Sequence, residues 1–200
     1  EMGMVSGCEF DGQHVYGVEL LATGMEETML TCTDSQFTNM PVGFRIDETT
    51  TDGRIMCIGE HLTFDGVGVG CDAFEGGAGM QTMFSLFRSD FTNGATLGRS
   101  TRSSSSPKLF MFRFVYVDAV CTDHVVDCVG DAAGNTMIHH HHGDWTAGPG
   151  KYALFTHPRT AQFDIHGSEM TFHSDICIGA NSASARVWHQ NNHYDDLTIT

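Results

Sequence analysis

The chain has 200 residues, of which 40% are hydrophobic and 10% aromatic. This length and composition exclude a disordered chain and favour one globular domain, over residues 1–200, with a sizeable core. The 25 acidic residues outnumber the 10 basic ones and give a net charge of -15, which repels nucleic acid and anionic membranes. No stretch approaches the roughly 20 apolar residues of a membrane span, so no membrane insertion is expected.

Short β-rich segments alternate with turns along the first half of the chain. Residues 15–21 and 28–33 are predicted strands, and residues 54–58 form a third one after an Asp-Gly turn signal. A helical spacing of methionine and phenylalanine predicts one short helix over residues 79–88. No internal repeat is evident.

The strongest predicted element is a strand over residues 109–120. Phe110, Phe112, Phe114 and Tyr116 share one side of it, and the other side carries further apolar residues. A strand that is apolar on both sides lies in the middle of a sheet or between layers. We therefore expect this segment to organise the core.

The last quarter of the chain is also rich in strand signals. Four strands are predicted there, over residues 151–156, 161–165, 169–173 and 176–178. Asn191-Asn192 suits the tight turn of a hairpin between residues 183–190 and 193–200, because asparagine tolerates positive φ. This hairpin would bury Trp188.

Residues 195–200, Asp-Asp-Leu-Thr-Ile-Thr, resemble the closing strand of secreted jelly-roll and concanavalin-like sandwich modules. The resemblance agrees with the many short strands predicted elsewhere. The expected fold is all-β, a single antiparallel β-sandwich of the jelly-roll or concanavalin-like type with at most one short helix.

Seven cysteines are many for a protein of a reducing compartment. Their number favours disulfides and an extracellular or secreted protein. Proximity along the chain suggests the pairs Cys8–Cys32, Cys57–Cys71 and Cys121–Cys128. Cys177 is left over, as a buried thiol or an intermolecular link.

Four consecutive histidines, His139 to His142, carry the clearest chemical signal. In an extended chain His139 and His141 project on the same side, which is the geometry of two metal ligands. A third ligand could come from Asp144, His157, His166 or His173, and the ion would be zinc or another transition metal. The alternative is a histidine-rich loop exposed to solvent.

The segments HHHHGDW, at 139–145, and YALFTH, at 152–157, are similar to α-type carbonic anhydrases, and cupins also carry a His-x-His pair on a strand. The resemblance implies a metal-dependent enzyme, such as a lyase, with an open position for water at the metal. The spacing from His141 to His157 is shorter than is usual in carbonic anhydrases.

Two further sites are suggested by composition. Asp123, Asp127 and Asp131 lie in a glycine-containing loop around Cys121 and Cys128, whose oxygen ligands could hold calcium or which could be an acidic loop closed by a disulfide. Trp145 and Tyr194 are candidate exposed aromatic residues for binding a ligand.

Three functions from different classes follow from these observations. The first is an extracellular module that binds glycans or builds a surface or structural assembly, with a glycan or another copy of itself as partner. The second is the metal-dependent enzyme with the His-x-His site. The third is a metal carrier or sensor in which histidine, methionine and aspartate bind copper without catalysis, although most of the 11 methionines are expected to fill the core.

Overall fold

The computed structural model of the chain describes residues 2–12, 14–22, 27–48, 54–75, 81–102, 109–130, 135–156, 162–173, 176–180, 185–190 and 193–194, and beyond residue 155 it describes the backbone alone. All regular elements in these ranges are β-strands, which confirms the all-β class. The segment predicted as a helix, residues 79–88, is strand over its described part.

Nineteen strands lie within the described ranges: β1 (Met2–Ser6), β2 (Glu9–Asp11), β3 (Tyr16–Ala22), β4 (Glu27–Thr33), β5 (Gln36–Thr38), β6 (Val42–Glu48), β7 (Arg54–Glu60), β8 (Thr63–Asp65), β9 (Val69–Glu75), β10 (Gln81–Gly94), β11 (Thr96–Arg102), β12 (Leu109–Cys121), β13 (Val126–Gly130), β14 (Asn135–Thr146), β15 (Tyr152–Thr156), β16 (Gln162–His173), β17 (Ile176–Ala180), β18 (Ala185–Gln190) and β19 (His193–Tyr194). They form a 12-stranded and a 7-stranded sheet.

The strands pair in parallel, so the predicted antiparallel β-sandwich is wrong and the fold is a parallel β-solenoid. Met2 pairs with Met29, Met29 with Met56, and Met56 with Met83. Hydrogen-bonded partners on neighbouring turns are accordingly 27 residues apart in this part of the chain. The predicted C-terminal hairpin is also wrong, because β18 and β19 both pair in parallel with β16 rather than with each other.

Each turn of the solenoid has three faces, separated by corners. In one turn, β4 is followed by Asp34, with a φ of 51°, then by β5, by Asn39, with a φ of 50°, and by β6. We call the stack that contains β4 the first face, the stack that contains β5 the second face, and the 7-stranded sheet that contains β6 the third face. In the longer strands β10, β12, β14 and β16, one strand runs through both the first and the second face.

The corners change which residues point inward. In β12, Phe110, Phe112 and Phe114 are buried before the corner residue Tyr116, and Val117 is buried after it. The alternation shifts by one residue because the chain bends at Tyr116, so both faces turn their apolar residues towards the same interior. Tyr116 itself is 54% exposed and does not share the core side with the three phenylalanines.

Residues at equivalent positions on successive turns form columns, and the interior column of the second face is a stack of phenylalanines. The ring centroids of Phe10 and Phe37 are 4.7 Å apart, those of Phe37 and Phe64 4.9 Å, and those of Phe64 and Phe91 6.0 Å. Such ring pairs add about 0.5–1.5 kcal/mol each beyond burial. Gly43 on the third face leaves room for the stack, because a Cβ there would lie 2.8 Å from the Phe64 ring.

The described cysteines are thiols, so the predicted disulfides are wrong. This holds for Cys8–Cys32, Cys57–Cys71 and Cys121–Cys128 alike. Pairing by proximity along the chain fails because residues that meet on neighbouring turns of this fold are about 27 apart, a separation that none of these pairs has. The side chain of Cys177 lies outside the described residues.

Thiol reactivity should follow burial. In a Cys177→Ser variant, Cys8 should react rapidly with Ellman's reagent, whereas the other five thiols should be protected until the protein unfolds. Burial raises the pKa of the Cys57 and Cys71 thiols and brings that of Cys121 to about 12, and the thiolate is the reactive form. Rapid reaction of several equivalents in the folded protein, or disulfides found by non-reducing mass spectrometry, would contradict this fold.

The outer side of the third face carries an ion-pair column. Arg45 Nη1 lies 2.7 Å from Asp72 Oδ2, and Arg99 Nε lies 2.9 Å from Asp72 Oδ1. The register places these three residues side by side on successive turns. Asp72 is therefore held by two guanidinium groups, and its hydrogen bond raises the pKa of Arg99.

Asp72→Asn should lower the free energy of unfolding by about 1.5–3 kcal/mol, the range for hydrogen bonds to charged groups. The asparagine lies between Arg45 and Arg99 and offers neither guanidinium group a negative charge. Urea unfolding would measure the loss. Asp90→Asn, at an exposed position on the second face, is the matched control and should change stability by no more than about 0.5 kcal/mol. Equal effects of the two substitutions would argue against a stabilising column.

Candidate functional site

The histidine run lies in β14, which belongs to the first face up to His142 and to the second face beyond it. His139 and His141 point outward and are half-buried, whereas His140 points inward and is fully buried. His142 is the corner residue, with a φ of 54°. The run therefore places its four imidazoles in three different environments.

His140 is part of the core. Its ring stacks on Trp145 with centroids 3.8 Å apart, and Trp145 Nε1 donates a hydrogen bond to the Val117 carbonyl oxygen at 3.2 Å. Burial lowers the pKa of His140 well below its usual value, so the imidazole is neutral. Trp145 is also fully buried, and its ring is thus closed to a ligand on the surface.

His139 and His141 form the outward pair. Their ring centroids are 6.3 Å apart and their planes are nearly perpendicular, at 83°. On one neighbouring turn, His139 lies beside Arg113, and on the other it lies beside His166 in the backbone register. Two imidazoles on one side of a strand supply two positions of a tetrahedral zinc site. The part of the chain with described side chains contains no group of three or more histidine, cysteine, aspartate or glutamate residues placed to hold a metal ion.

Of the other predicted ligands, His166 lies beside His139 in the backbone register and His173 lies beside Thr146, and the side chains of both are outside the described part. Asp144 is exposed and lies beyond the corner at His142, on the second face, where its backbone N–H donates to Asp118 Oδ1 at 2.9 Å. His157 lies outside the described residues. The metal site therefore stays a prediction, with His139 and His141 as the residues that the fold places together.

The predicted calcium ligands lie at different places in the fold. Asp123 follows the end of β12, where Oδ1 lies 2.9 Å from Lys151 Nζ and accepts a hydrogen bond of 2.9 Å from the His124 backbone N–H. Asp127 belongs to β13 on the third face, beside Arg99 in register. Asp131 lies outside the described residues. The calcium site also stays a prediction.

An exposed aromatic pair was not predicted from the sequence. Tyr116 and His142 occupy equivalent corner positions on successive turns, and their rings stack with centroids 4.5 Å apart and an interplanar angle of 6°. Tyr116 offers a ring that is 54% exposed, and the exposed residues Asp118 and Asp144 each follow two positions after the corner on their own strand. The predicted ligand residue Tyr194 lies in β19 and pairs with Phe172, but its side chain is outside the described part.

A second feature that the sequence analysis missed is a column of methionines on the outer side of the first face. Met29, Met56 and Met83 occupy the same position on successive turns, and further methionines extend the column in both directions. The recurrence of methionine at 27-residue intervals is the signal that could have revealed both the column and the repeat.

Comparisons with known proteins give no assignment for this arrangement. No family model, no curated protein and no solved structure matches the chain. Within the described part of the chain, no helix has the length and apolar character that a membrane span requires. The functional argument therefore starts from the geometry of the solenoid.

Proposed function

We propose that the protein is a rigid scaffold module for surface or structural assembly, with a glycan or further copies of itself as partner. The observation that carries this proposal is the column: the same side chain, or a complementary one, stands at the same position on turn after turn. Interior phenylalanines, outer methionines and the alternating Arg45, Asp72 and Arg99 all follow this rule.

Such columns suit an extended partner with repeating units. Each turn contacts mainly its neighbours, so the fold is stiff along its axis and presents long flat surfaces. A repeating partner engages several equivalent positions at once, and many weak contacts then add to a strong attachment. An extracellular or secreted location belongs to the same proposal, although the described thiols no longer support it.

Small-angle X-ray scattering and sedimentation velocity test the scaffold function together. We expect an elongated particle that associates as its concentration rises. Association should strengthen between about 0.02 and 0.5 M salt, because salt screens the repulsion between surfaces whose net charge is -15. A single monomeric species at all concentrations and salt levels, combined with no binding on a glycan array, would contradict the proposal.

The Tyr116–His142 pair is the glycan contact that we favour. An aromatic ring packs against the apolar side of a sugar, and nearby carboxylates accept hydrogen bonds from its hydroxyl groups. For a glycan identified on the array, Tyr116→Ala should abolish binding, whereas Tyr116→Phe should retain most of it. Val120→Ala is the matched control, since Val120 is similarly exposed, at 51%, and carries no ring. Unchanged binding by Tyr116→Ala would exclude this contact.

A metal-dependent enzyme is the second candidate, and the outward pair His139 and His141 is the observation that favours it. Elemental analysis of protein purified without a metal-affinity column should find a transition metal that is lost on acidification below about pH 6.5, where free imidazole protonates. The double variant His139→Ala and His141→Ala should lack the metal. His61→Ala, at an exposed corner, should retain it. Absence of metal from the wild-type protein would remove this candidate.

A further inference from the structure

An unbroken column of methionines runs along the outer side of the first face. Each member pairs in register with the next, and the column consists of Met2, Met29, Met56, Met83, Met111 and Met137. Met2 is exposed, and the other five are half-buried. The thioether groups therefore form one stripe that reaches solvent along its length.

Packing alone does not account for this uniform choice. Methionine makes up 11 of the 200 residues, and it is not among the residues favoured in strands. The adjacent column, on the interior side, fills the core with different apolar residues. They are Leu30, Cys57, Phe84, Phe112 and Ile138. A surface that only needed to be apolar could be equally mixed.

The spacing of the column matches the bond lengths of a soft metal ion. Neighbouring strands are about 4.8 Å apart, so thioethers with the same side-chain conformation are separated by a similar distance. A linear S–metal–S unit with bonds of about 2.3 Å, the length of a zinc–sulfur bond, spans about 4.6 Å. Methionine has three rotatable side-chain bonds, which allow the two sulfur atoms to adjust to an ion between them.

The surroundings favour the middle of the column for such an ion. On one side of Met29 and Met56, the flanking residues are Glu27 and Arg54, whose opposite charges offset each other. The flanking positions on the other side carry the uncharged Thr31 and Ile58. Further along, Arg113 is a nearby positive charge, with its guanidinium carbon 5.3 Å from the centre of the Phe87 ring. The net charge of -15 draws cations to the protein as a whole.

We infer that Met29, Met56 and Met83 bind a soft monovalent cation, Cu(I), between neighbouring turns. Thioether ligands select Cu(I) over harder ions. This inference goes beyond the scaffold function and does not depend on it. It also differs from the predicted site at His139 and His141, because its ligands are sulfur atoms of other strands.

Methyl NMR with Ag(I) as a redox-stable probe tests the inference on the 21.8 kDa protein. The protein would carry 13C-labelled methionine methyl groups and the substitutions Cys8→Ser and Cys177→Ser, which remove the one described thiol that is not buried and the thiol outside the described side chains. We expect saturable shifts of the Met29, Met56 and Met83 methyl resonances, with assignments from single Met→Leu variants. Met40, which is buried in the interior, is the internal control and should not shift.

In the double variant Met56→Leu and Met83→Leu, Met29 is the only one of the three methionines left to observe. Its methyl resonance should no longer show a saturable shift when Ag(I) is added. Methionine and leucine have similar volumes, so the variant should still fold, which its circular dichroism would verify. Met40→Leu, the matched control variant, should keep the wild-type titration. The inference is overturned if one equivalent of Ag(I) shifts no column resonance, if Met40 shifts as much as the column, or if the folded double variant titrates like the wild type.

Discussion

Replacing Phe112 by alanine should lower the free energy of unfolding by about 3–5 kcal/mol, the usual cost of removing a fully buried phenylalanine. Phe112 has no exposed surface, and its ring centroid lies 4.5 Å from that of Phe110 and 5.6 Å from that of Phe114. It also meets Phe84 of the preceding turn edge-on, at 6.3 Å. The cavity left by the substitution would therefore open between two turns.

Urea unfolding followed by far-ultraviolet circular dichroism would measure this change. Phe87→Ala is the matched control, because Phe87 is half-buried on the outer side of the first face, where Arg113 covers it. Its removal should cost clearly less than that of Phe112. If both variants lose the same stability, or if Phe112→Ala unfolds like the wild type, the interior of the solenoid is assigned wrongly.

Acidification should destabilise the protein through His140. Burial lowers the pKa of His140 in the folded state well below the value of about 6.5 in the unfolded chain. Below pH ~6.5 the unfolded chain thus binds a proton that the folded protein does not, and this favours unfolding. The loss should reach about 1.4 kcal/mol per pH unit until the pH falls to the lowered pKa, and it should vanish above about pH 6.5.

Two variants isolate this contribution from that of the carboxylates. His140→Leu should reduce the dependence of stability on pH between about 6.5 and 5, because one titrating group is gone, while His124, whose pKa burial also lowers, still contributes. Leucine is already present at the equivalent position two turns earlier, as Leu86. Phe114→Leu removes an aromatic ring from the same column without removing a proton-binding group, and it should keep the wild-type slope. Equal slopes for His140→Leu and the wild type would show that His140 does not control acid stability.

The sequence located many strands correctly but did not reveal how they pair. The sequence predicts a core strand over residues 109–120, and β12 (Leu109–Cys121) confirms it. Alternation of apolar residues reports only that one side is buried, and it is the same for parallel and antiparallel neighbours. The sandwich followed from short strands with turn signals, a pattern that a solenoid shares because its corners also use glycine, asparagine and aspartate.

The repeat was present in the sequence as a short motif. Phe10, Phe37, Phe64 and Phe91 are each followed by aspartate or threonine and then by glycine or asparagine. These positions correspond to the phenylalanine column and the corner behind it. Between the motifs, equivalent positions carry different residues, which concealed the period. A search for repeats of 20–50 residues would have predicted the solenoid.

The incorrect helix has a related cause. Met83, Phe84 and Phe87 have helical spacing, yet in β10 Phe84 points inward while Met83 and Phe87 lie on the outer side. Because the outer side of the first face is also partly apolar, its residues add to those of the interior and imitate a helical period.

The candidate metal site could be predicted only in part. Alternation correctly placed His139 and His141 on one side and His140 on the other. The corner at His142 could not be foreseen, because residues other than glycine rarely adopt positive φ and nothing in the run marks the position. That corner turns Asp144 onto another face and removes it from the predicted ligand set.

The parallel register also bears on how the length of such a protein can change in evolution. Duplication of a segment as long as one turn, about 27 residues, would lengthen the solenoid and leave every column in phase. Insertion of one residue into the middle of β12 would instead exchange its inner and outer side chains and expose the core. Growth by whole turns therefore disturbs the fold least, and the number of residues per turn is the quantity that selection must preserve.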